Sequence, residues 1–320
     1  MNRIPLIDLD SALPRVETIK AIESACRDVG FMYVVNHGIA STTIAAIRNS
    51  VIDYFRQPLE KKLPDQITRE NYRGYIPVGF FSPAVSGADA DQYEGYKLHN
   101  EVAADSPLCA ACDLYGPNKW PQNPPEFSSA VLDYWAACDN VAIDLLKMLA
   151  VPLGTDPDEF AALFADSLTN MTLLHYPEPV NGQTGFGIHP HKDTAALTIL
   201  AGNDVAGLMA RSRHSDNWIE VDPPDNALVV NIGDMIEVWS GGYFTSTPHK
   251  VENVTGRERF SFPYFSVPRF DVVVESLREP QPGFERTSVH VGDVSKEVWR
   301  TNWPDAVPHE TGFDLGTIEN

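Results

Sequence analysis

Basic residues are scarce: 24 Lys and Arg stand against 44 Asp and Glu in 320 residues, a formal charge of −20. Nucleic acids and anionic membranes reward clustered Lys and Arg, so neither is expected as a partner. No apolar run approaches the ~20 residues that a membrane-spanning helix needs. The opening, Met1-Asn2-Arg3-Ile4-Pro5-Leu6-Ile7-Asp8, lacks the long apolar region of a secretory leader. A cytoplasmic protein with an acidic surface is the expectation. Cysteine is sparse as well: Cys26, Cys109, Cys112 and Cys138 are the whole set. Cys109 and Cys112 form a lone C-x-x-C. A structural zinc would want a second such pair, and the segment does not follow the strand pattern of a redox dithiol. No glycine-rich phosphate loop appears, which excludes a dinucleotide-binding fold. No internal repeat or low-complexity tract is found either.

What is present is apolar content of 43%, enough for a sizeable core. Ile4–Asp8 reads as a strand. Val16–Val29 reads as a helix, with Ile19, Ile22 and Cys26 on one face and Gly30 as its stop. Phe31–Val35 is a strand closed by Asn36-His37-Gly38, a turn that gives His37 a structural reason to be polar. Ser41–Phe55 is a second helix. Asn71–Gly79 and the loop to about Leu98 are rich in Gly, Pro and Tyr, and Gly116–Pro121 is a connector. Phe127–Leu149 carries a broad apolar face and is a core helix. A further helix begins near Asp156, with Pro157 first and Glu159 placed to complete a capping box.

From Met171 onward short β-branched and aromatic runs recur between turn residues. They are Met171–Tyr176, Thr194–Leu200, Gly207–Arg211, Trp218–Val221, Ala227–Ile232, Glu237–Trp239, His249–Val254 and Arg259–Val267. Helices do not alternate with them, so a two-sheet jelly roll fits better than a parallel sheet. The tail returns to helix near Val294–Thr301, where Trp299 is placed to pack over the barrel mouth. The expected fold class is mixed α+β: a double-stranded β-helix (jelly-roll) core with an N-terminal α/β region and flanking helices. Residues 1–120 form the N-terminal region and 121–320 the helix-supported core of one compact unit.

Within that core lies Gly187-Ile188-His189-Pro190-His191-Lys192-Asp193. His189, His191 and Asp193 alternate, so on an extended strand they share one face. A further imidazole, His249, follows 249 − 191 = 58 residues after His191. Two histidines and a carboxylate in this order suit the open facial triad of a non-haem iron(II) oxygenase. Periodicity alone allows either His189 or His191 as a ligand. Ten residues beyond His249 stand Arg259 and then Ser261 (259 − 249 = 10). An arginine fork and a hydroxyl are what a dicarboxylic cosubstrate beside a metal would need.

The chain resembles the isopenicillin N synthase-like branch of the iron(II)/2-oxoglutarate-dependent dioxygenases. The resemblance rests on Leu173-Leu174-His175-Tyr176-Pro177, on His191-x-Asp193 with Leu197-Thr198-Ile199-Leu200, and on Asn231-Ile232-Gly233-Asp234. It rests also on Ser246-Thr247-Pro248-His249 and Arg259-x-Ser261, and at the N-terminus on Ile4–Asp8 and Gly30–Gly38. It implies a triad of His191, Asp193 and His249, with His189 in the pocket behind it, and O2 as a further cosubstrate. It implies 2-oxoglutarate on Arg259 and Ser261, with Tyr176 touching cosubstrate or substrate. Arg73, Tyr75 and Tyr93 become candidates for the substrate pocket. The implied reaction is oxidative decarboxylation to succinate and CO2, coupled to oxidation of a small molecule in natural-product or amino-acid-derived metabolism. Halogenating relatives carry a small residue at the carboxylate position. Asp193 therefore favours hydroxylation, desaturation or ring formation. Three alternatives share parts of this pattern: an oxidase of isopenicillin N synthase type that needs no 2-oxoglutarate, a zinc-dependent jelly-roll hydrolase or lyase, and a barrel without activity.

Overall fold

Two apolar layers build the molecule, a larger one between a sheet and the helices and a smaller one between two sheets. The computed structural model describes residues 3–301 and 303, leaving aside 11, 14, 82–89, 179–185, 202–205, 212–216, 253–255 and 287. In chain order the strands are β1 (Leu6–Asp8), β2 (Phe31–Val35), β3 (Gly74–Ile76), β4 (Glu94–His99), β5 (Asn170–Tyr176), β6 (Phe186–His191), β7 (Leu197–Ala201) and β8 (Leu208–Arg211). They continue as β9 (Trp218–Glu220), β10 (Leu228–Ile232), β11 (His249–Glu252), β12 (Arg259–Ser261), β13 (Tyr264–Ser266), β14 (Val273–Glu275) and β15 (Ser288–His290). The helices are α1 (Arg15–Asp28), α2 (Ser41–Phe55), α3 (Leu59–Lys62), α4 (Pro107–Ala111), α5 (Phe127–Leu153), α6 (Pro157–Ala162), α7 (Asp234–Trp239) and α8 (Val291–Thr301). Among the described residues no helix is long and apolar enough to cross a membrane.

A nine-stranded sheet runs β1-β2-β10-β7-β13-β5-β4-β3, with β12 also paired to β5, and a four-stranded sheet runs β6-β11-β8-β9. Strands from residues 1–120 and from 121–320 thus share the larger sheet. Its outer face packs on the helices through Leu197, Ile199, Leu173 and Tyr96, together with Leu145 and Leu149 of α5. Its inner face meets the smaller sheet through Phe31, Tyr33, Leu174, Tyr176, Leu200, Val229, Ala210 and Val251. Each side chain of this size contributes roughly 1.5–3 kcal/mol on burial. Asp156 caps α6 by accepting from Asp158 N and Glu159 N. His37 is structural, as its turn implied: Nε2 donates to the Asn226 carbonyl and Nδ1 accepts from Ile39 N.

Three expectations are corrected. Glu237–Trp239 is the end of α7, not a strand, because three apolar-rich residues carry no usable periodicity. Gly233 opens that helix: a Cβ there would lie 2.1 Å from the Ala195 carbonyl oxygen, so only glycine lets the helix start against this chain. The stretch to Leu98 is not all loop. β3 pairs with β4 and β4 with β5, setting Tyr75 opposite Tyr96 and Tyr96 opposite Leu173. Arg259–Val267 is two strands, β12 on β5 and β13 on β5 and β7, parted around Pro263, which has no N–H to give a ladder. His249–Val254 is strand as far as Glu252, and its last two residues lie outside the described residues.

On the outer face a buried polar cluster ties β3, β4 and β5 to α3. Glu94 accepts from Lys62 Nζ at 2.6 Å, from Tyr75 at 2.5 Å and from His175 Nδ1 at 2.8 Å. Burial opposes the charge on Glu94, but His175, Lys62 and Tyr75 together hold it below the usual range. Its contribution is therefore complete above the unfolded carboxylate pKa and is lost as pH falls through the lowered folded value. Glu94→Ala leaves the Lys62 ammonium buried and uncompensated, and is predicted to lower the unfolding free energy by about 3–5 kcal/mol. Denaturant titration checks this, and a loss below about 1 kcal/mol contradicts the assigned role.

Candidate active site

β6 and β11 are neighbours in the smaller sheet, with His249 opposite His191. The ring centroids are 4.3 Å apart. His191 Nδ1 lies 2.8 Å from the His189 carbonyl, and His249 Nδ1 lies 3.1 Å from the Thr247 carbonyl. A carbonyl only accepts, so each Nδ1 carries the proton and each Nε2 presents its lone pair. Those Nε2 atoms stand 3.8 Å from Asp193 Oδ1 and 3.7 Å from Asp193 Oδ2, respectively. One ligand atom from each of the three residues falls within 4.8 Å of the others.

Asp193 stands two residues past the end of β6, so the single strand face expected to carry the run stops at His191. The carboxylate is placed from the larger sheet instead: Oδ2 accepts from Thr198 Oγ1 at 2.6 Å and from Asn231 Nδ2 at 2.8 Å. Its backbone carbonyl accepts from Asp234 N at the start of α7 at 2.8 Å. Glu237 of α7 braces both approaches, with Lys192 Nζ 3.3 Å from Oε2 and Ser246 N 3.0 Å from Oε1. Burial acts against the Asp193 charge, but His249, His191 and the two hydrogen bonds hold it below the usual carboxylate range. Burial, then the His249 ring, lowers His191 below the usual imidazole range. Neutral imidazoles and an ionised carboxylate are the protonation states a divalent metal needs.

A second group lies along β5. Arg259 pairs with Tyr176, and Ser261 with Leu174. Arg259 is 3% exposed, and its Nε and Nη1 are buried without a hydrogen-bond partner. The guanidinium lies 4.8 Å from the centroid of the Tyr176 ring. Burial is the main reason the Tyr176 phenol is pushed up to about 12. Gly187 makes this packing possible, since a Cβ there would lie 2.7 Å from Tyr176 Cδ1.

The substrate-pocket candidates divide. Tyr93 belongs to the inner cluster, with its ring 6.2 Å from that of Tyr176. His189 is engaged by Asp91, with Nδ1 2.6 Å and its backbone N 3.0 Å from Oδ1, and it is not in the group of three ligands. Tyr75 is not brought to the site: it is 1% exposed in the outer core, bound to Glu94. Arg73 is buried with Nη2 on the Leu114 carbonyl at 2.8 Å. Trp299 stacks on Tyr72 at 4.6 Å and meets the edge of His99, the last residue of β4, at 5.1 Å. Sequence reasoning gave no role to Thr198 or Asn231, and missed Asp91, which engages His189.

Fold and site define a jelly-roll oxygenase with a two-histidine, one-carboxylate face. Two family models match: non-haem dioxygenase in morphine synthesis N-terminal over residues 4–123, and 2OG-Fe(II) oxygenase superfamily over residues 168–268. A homoarginine-6-hydroxylase of Glycine max is 31% identical over 296 residues, covering 86% of this chain and 88% of its own. An Arabidopsis thaliana homoarginine-6-hydroxylase is 32% identical, covering 83% and 82%. The crystal structure of a full-length Neurospora crassa protein in complex with alpha-KG superposes with a TM-score of 0.80 at 26% identity, covering 92% of this chain and 95% of that one. The chain belongs to the 2OG-Fe(II) oxygenase superfamily, in its isopenicillin N synthase-like branch, and is an iron(II)- and 2-oxoglutarate-dependent oxidoreductase.

Metal content after reconstitution with Fe(II) separates the histidines. His191→Ala, Asp193→Ala and His249→Ala are predicted to lose the metal and His189→Ala to keep it; the reverse result for the two neighbours would move the triad by one strand step. Removing a side chain that orients a ligand typically costs 10–100-fold in metal affinity. Asn231→Ala should therefore weaken Fe(II) binding by about that factor in a competition titration, and wild-type affinity would show that Thr198 alone positions Asp193.

Proposed function

We propose that this enzyme hydroxylates a small organic molecule, with His191, Asp193 and His249 holding Fe(II) and with Arg259 and Ser261 holding the far carboxylate of 2-oxoglutarate. The observation that carries this reading is the pair of buried, unpartnered atoms Nε and Nη1 of Arg259, beside a converging set of three ligand atoms. Leaving such donors unpaired is costly, and a carboxylate satisfies the fork bidentately. When bound, Fe(II) with 2-oxoglutarate and O2 supplies the oxidation, giving succinate, CO2 and oxidised product.

The chain's own residues bind and orient. Thr198 and Asn231 hold Asp193 through Oδ2, which leaves Oδ1 beside His191 and Oδ2 beside His249. Tyr176 covers the arginine, and the Phe31 ring meets His249 edge-on at 5.5 Å, keeping water from that side. A zinc hydrolase would have no use for the Arg259 clamp. An oxidase that draws all its electrons from its substrate shares these motifs, but the family and the relatives named as hydroxylases favour the 2-oxoglutarate route. Natural-product or amino-acid-derived metabolism is a reading by family analogy. The cytoplasmic reading is supported by four free thiols.

The test is succinate release by iron-loaded enzyme as 2-oxoglutarate is titrated. Losing a buried charged hydrogen bond costs on the order of 2–5 kcal/mol, so Arg259→Leu should raise the 2-oxoglutarate requirement more than tenfold while iron content holds. An unchanged titration would remove Arg259 from the site.

A further inference from the structure

The inner face of the larger sheet carries a rung, polar except for Phe265, that crosses several strands. His99 of β4 is opposite Asn170 of β5, Asn170 opposite Phe265 of β13, Phe265 opposite Thr198 of β7, and Thr198 opposite Asn231 of β10. Thr198 and Asn231 reach Asp193, which fixes this rung as inward. Lys97, two residues before His99, shares that face and is opposite Thr172. Its Nζ donates to Asn170 Oδ1 at 2.6 Å and to Thr172 Oγ1 at 3.0 Å, and lies 5.5 Å from the Phe265 ring centroid.

These partners are neutral. Among the described residues no carboxylate comes within ion-pair distance of Lys97. An ammonium has three N–H donors, and two are spent on Asn170 and Thr172. Enclosure, and next the charge of Arg73, pull Lys97 down to about 7, with Asp193 opposing. A cation so placed costs stability that a methionine would not, so packing alone is a poor reason for it. Nor is it a second clamp for the cosubstrate. Arg259 is level with Tyr176, while Lys97 is level with Thr172, four residues or ~13 Å back along β5.

We propose that the primary substrate bears a carboxylate, and that Lys97, steadied by Asn170 and Thr172, receives it at a point separate from Arg259. Lys97 is thereby a specificity-determining residue. The inference rests on the 2-oxoglutarate reading above and adds the charge of the substrate to it. It also accounts for the two neutral hydrogen-bond acceptors, which aim the ammonium without neutralising it.

The test uses enzyme loaded with Fe(II) and saturated with 2-oxoglutarate without oxygen. A set of small aliphatic and aromatic carboxylates, each paired with its primary amide, is titrated in, and binding is read as a shift of the visible metal-to-ligand band. Carboxylates should bind at least tenfold more tightly than their amides. Lys97→Met should abolish that preference while iron content and 2-oxoglutarate affinity stay at wild-type values, and Lys97→Arg should restore part of it. Equal binding of acids and amides, an undiminished preference in Lys97→Met, or no binding by any carboxylate would each overturn the proposal. A wild-type protein that shows no band at all with 2-oxoglutarate would instead overturn the reading beneath it.

Discussion

One oxygen of Asp193 accepts two hydrogen bonds, from Thr198 and Asn231, and the geometry of the site depends on that contact. Asp193 lies beyond the last residue of β6, where a strand no longer dictates direction. The larger sheet supplies the missing constraint across the barrel, and Gly233 lets α7 approach closely enough to bind the Asp193 backbone as well. The two histidines need less help. Each donates Nδ1–H to the carbonyl two residues earlier in its own chain, which turns both Nε2 lone pairs toward the carboxylate. Two sheets, each unable to complete the triad, make it by facing one another.

Charge is distributed unevenly between surface and interior. The chain carries a formal charge of −20, yet inside the barrel Arg259 and Lys97 both stand without an acidic partner among the described residues. They are separated along β5, with Asp193 near the Lys97 end. A buried cation of this kind is destabilising until an anion arrives, so an interior of this composition is complementary to anions and not to the unliganded fold. The outer face shows the opposite arrangement. There Lys62, Tyr75 and His175 converge on Glu94, and the charges are already matched.

Much of the architecture was legible because its periodicities are long. The helices at Ser41–Phe55 and from Phe127, and the strand at Phe31–Val35, begin where the residue pattern places them. The triad could be read because the residue types themselves carry the chemistry. What failed was short or positional. A run of three residues, Glu237–Trp239, cannot tell helix from strand. The family resemblance made Tyr75 a pocket candidate, but on β3 it is opposite Tyr96 and faces outward, a matter of register that a resemblance between segments does not reveal. Spacing placed His189 with His191 and Asp193. It could not show that Asp91, 98 residues earlier, claims the His189 ring.

The most direct measurement is a crystal structure of the protein grown without oxygen in Fe(II) and 2-oxoglutarate. The account predicts iron bonded to Nε2 of His191, Nε2 of His249 and a carboxylate oxygen of Asp193. It predicts the far carboxylate of 2-oxoglutarate on Nε and Nη1 of Arg259 and on the Ser261 hydroxyl. Iron bound through His189, or a cosubstrate carboxylate that leaves those two arginine nitrogens unpaired, would contradict it.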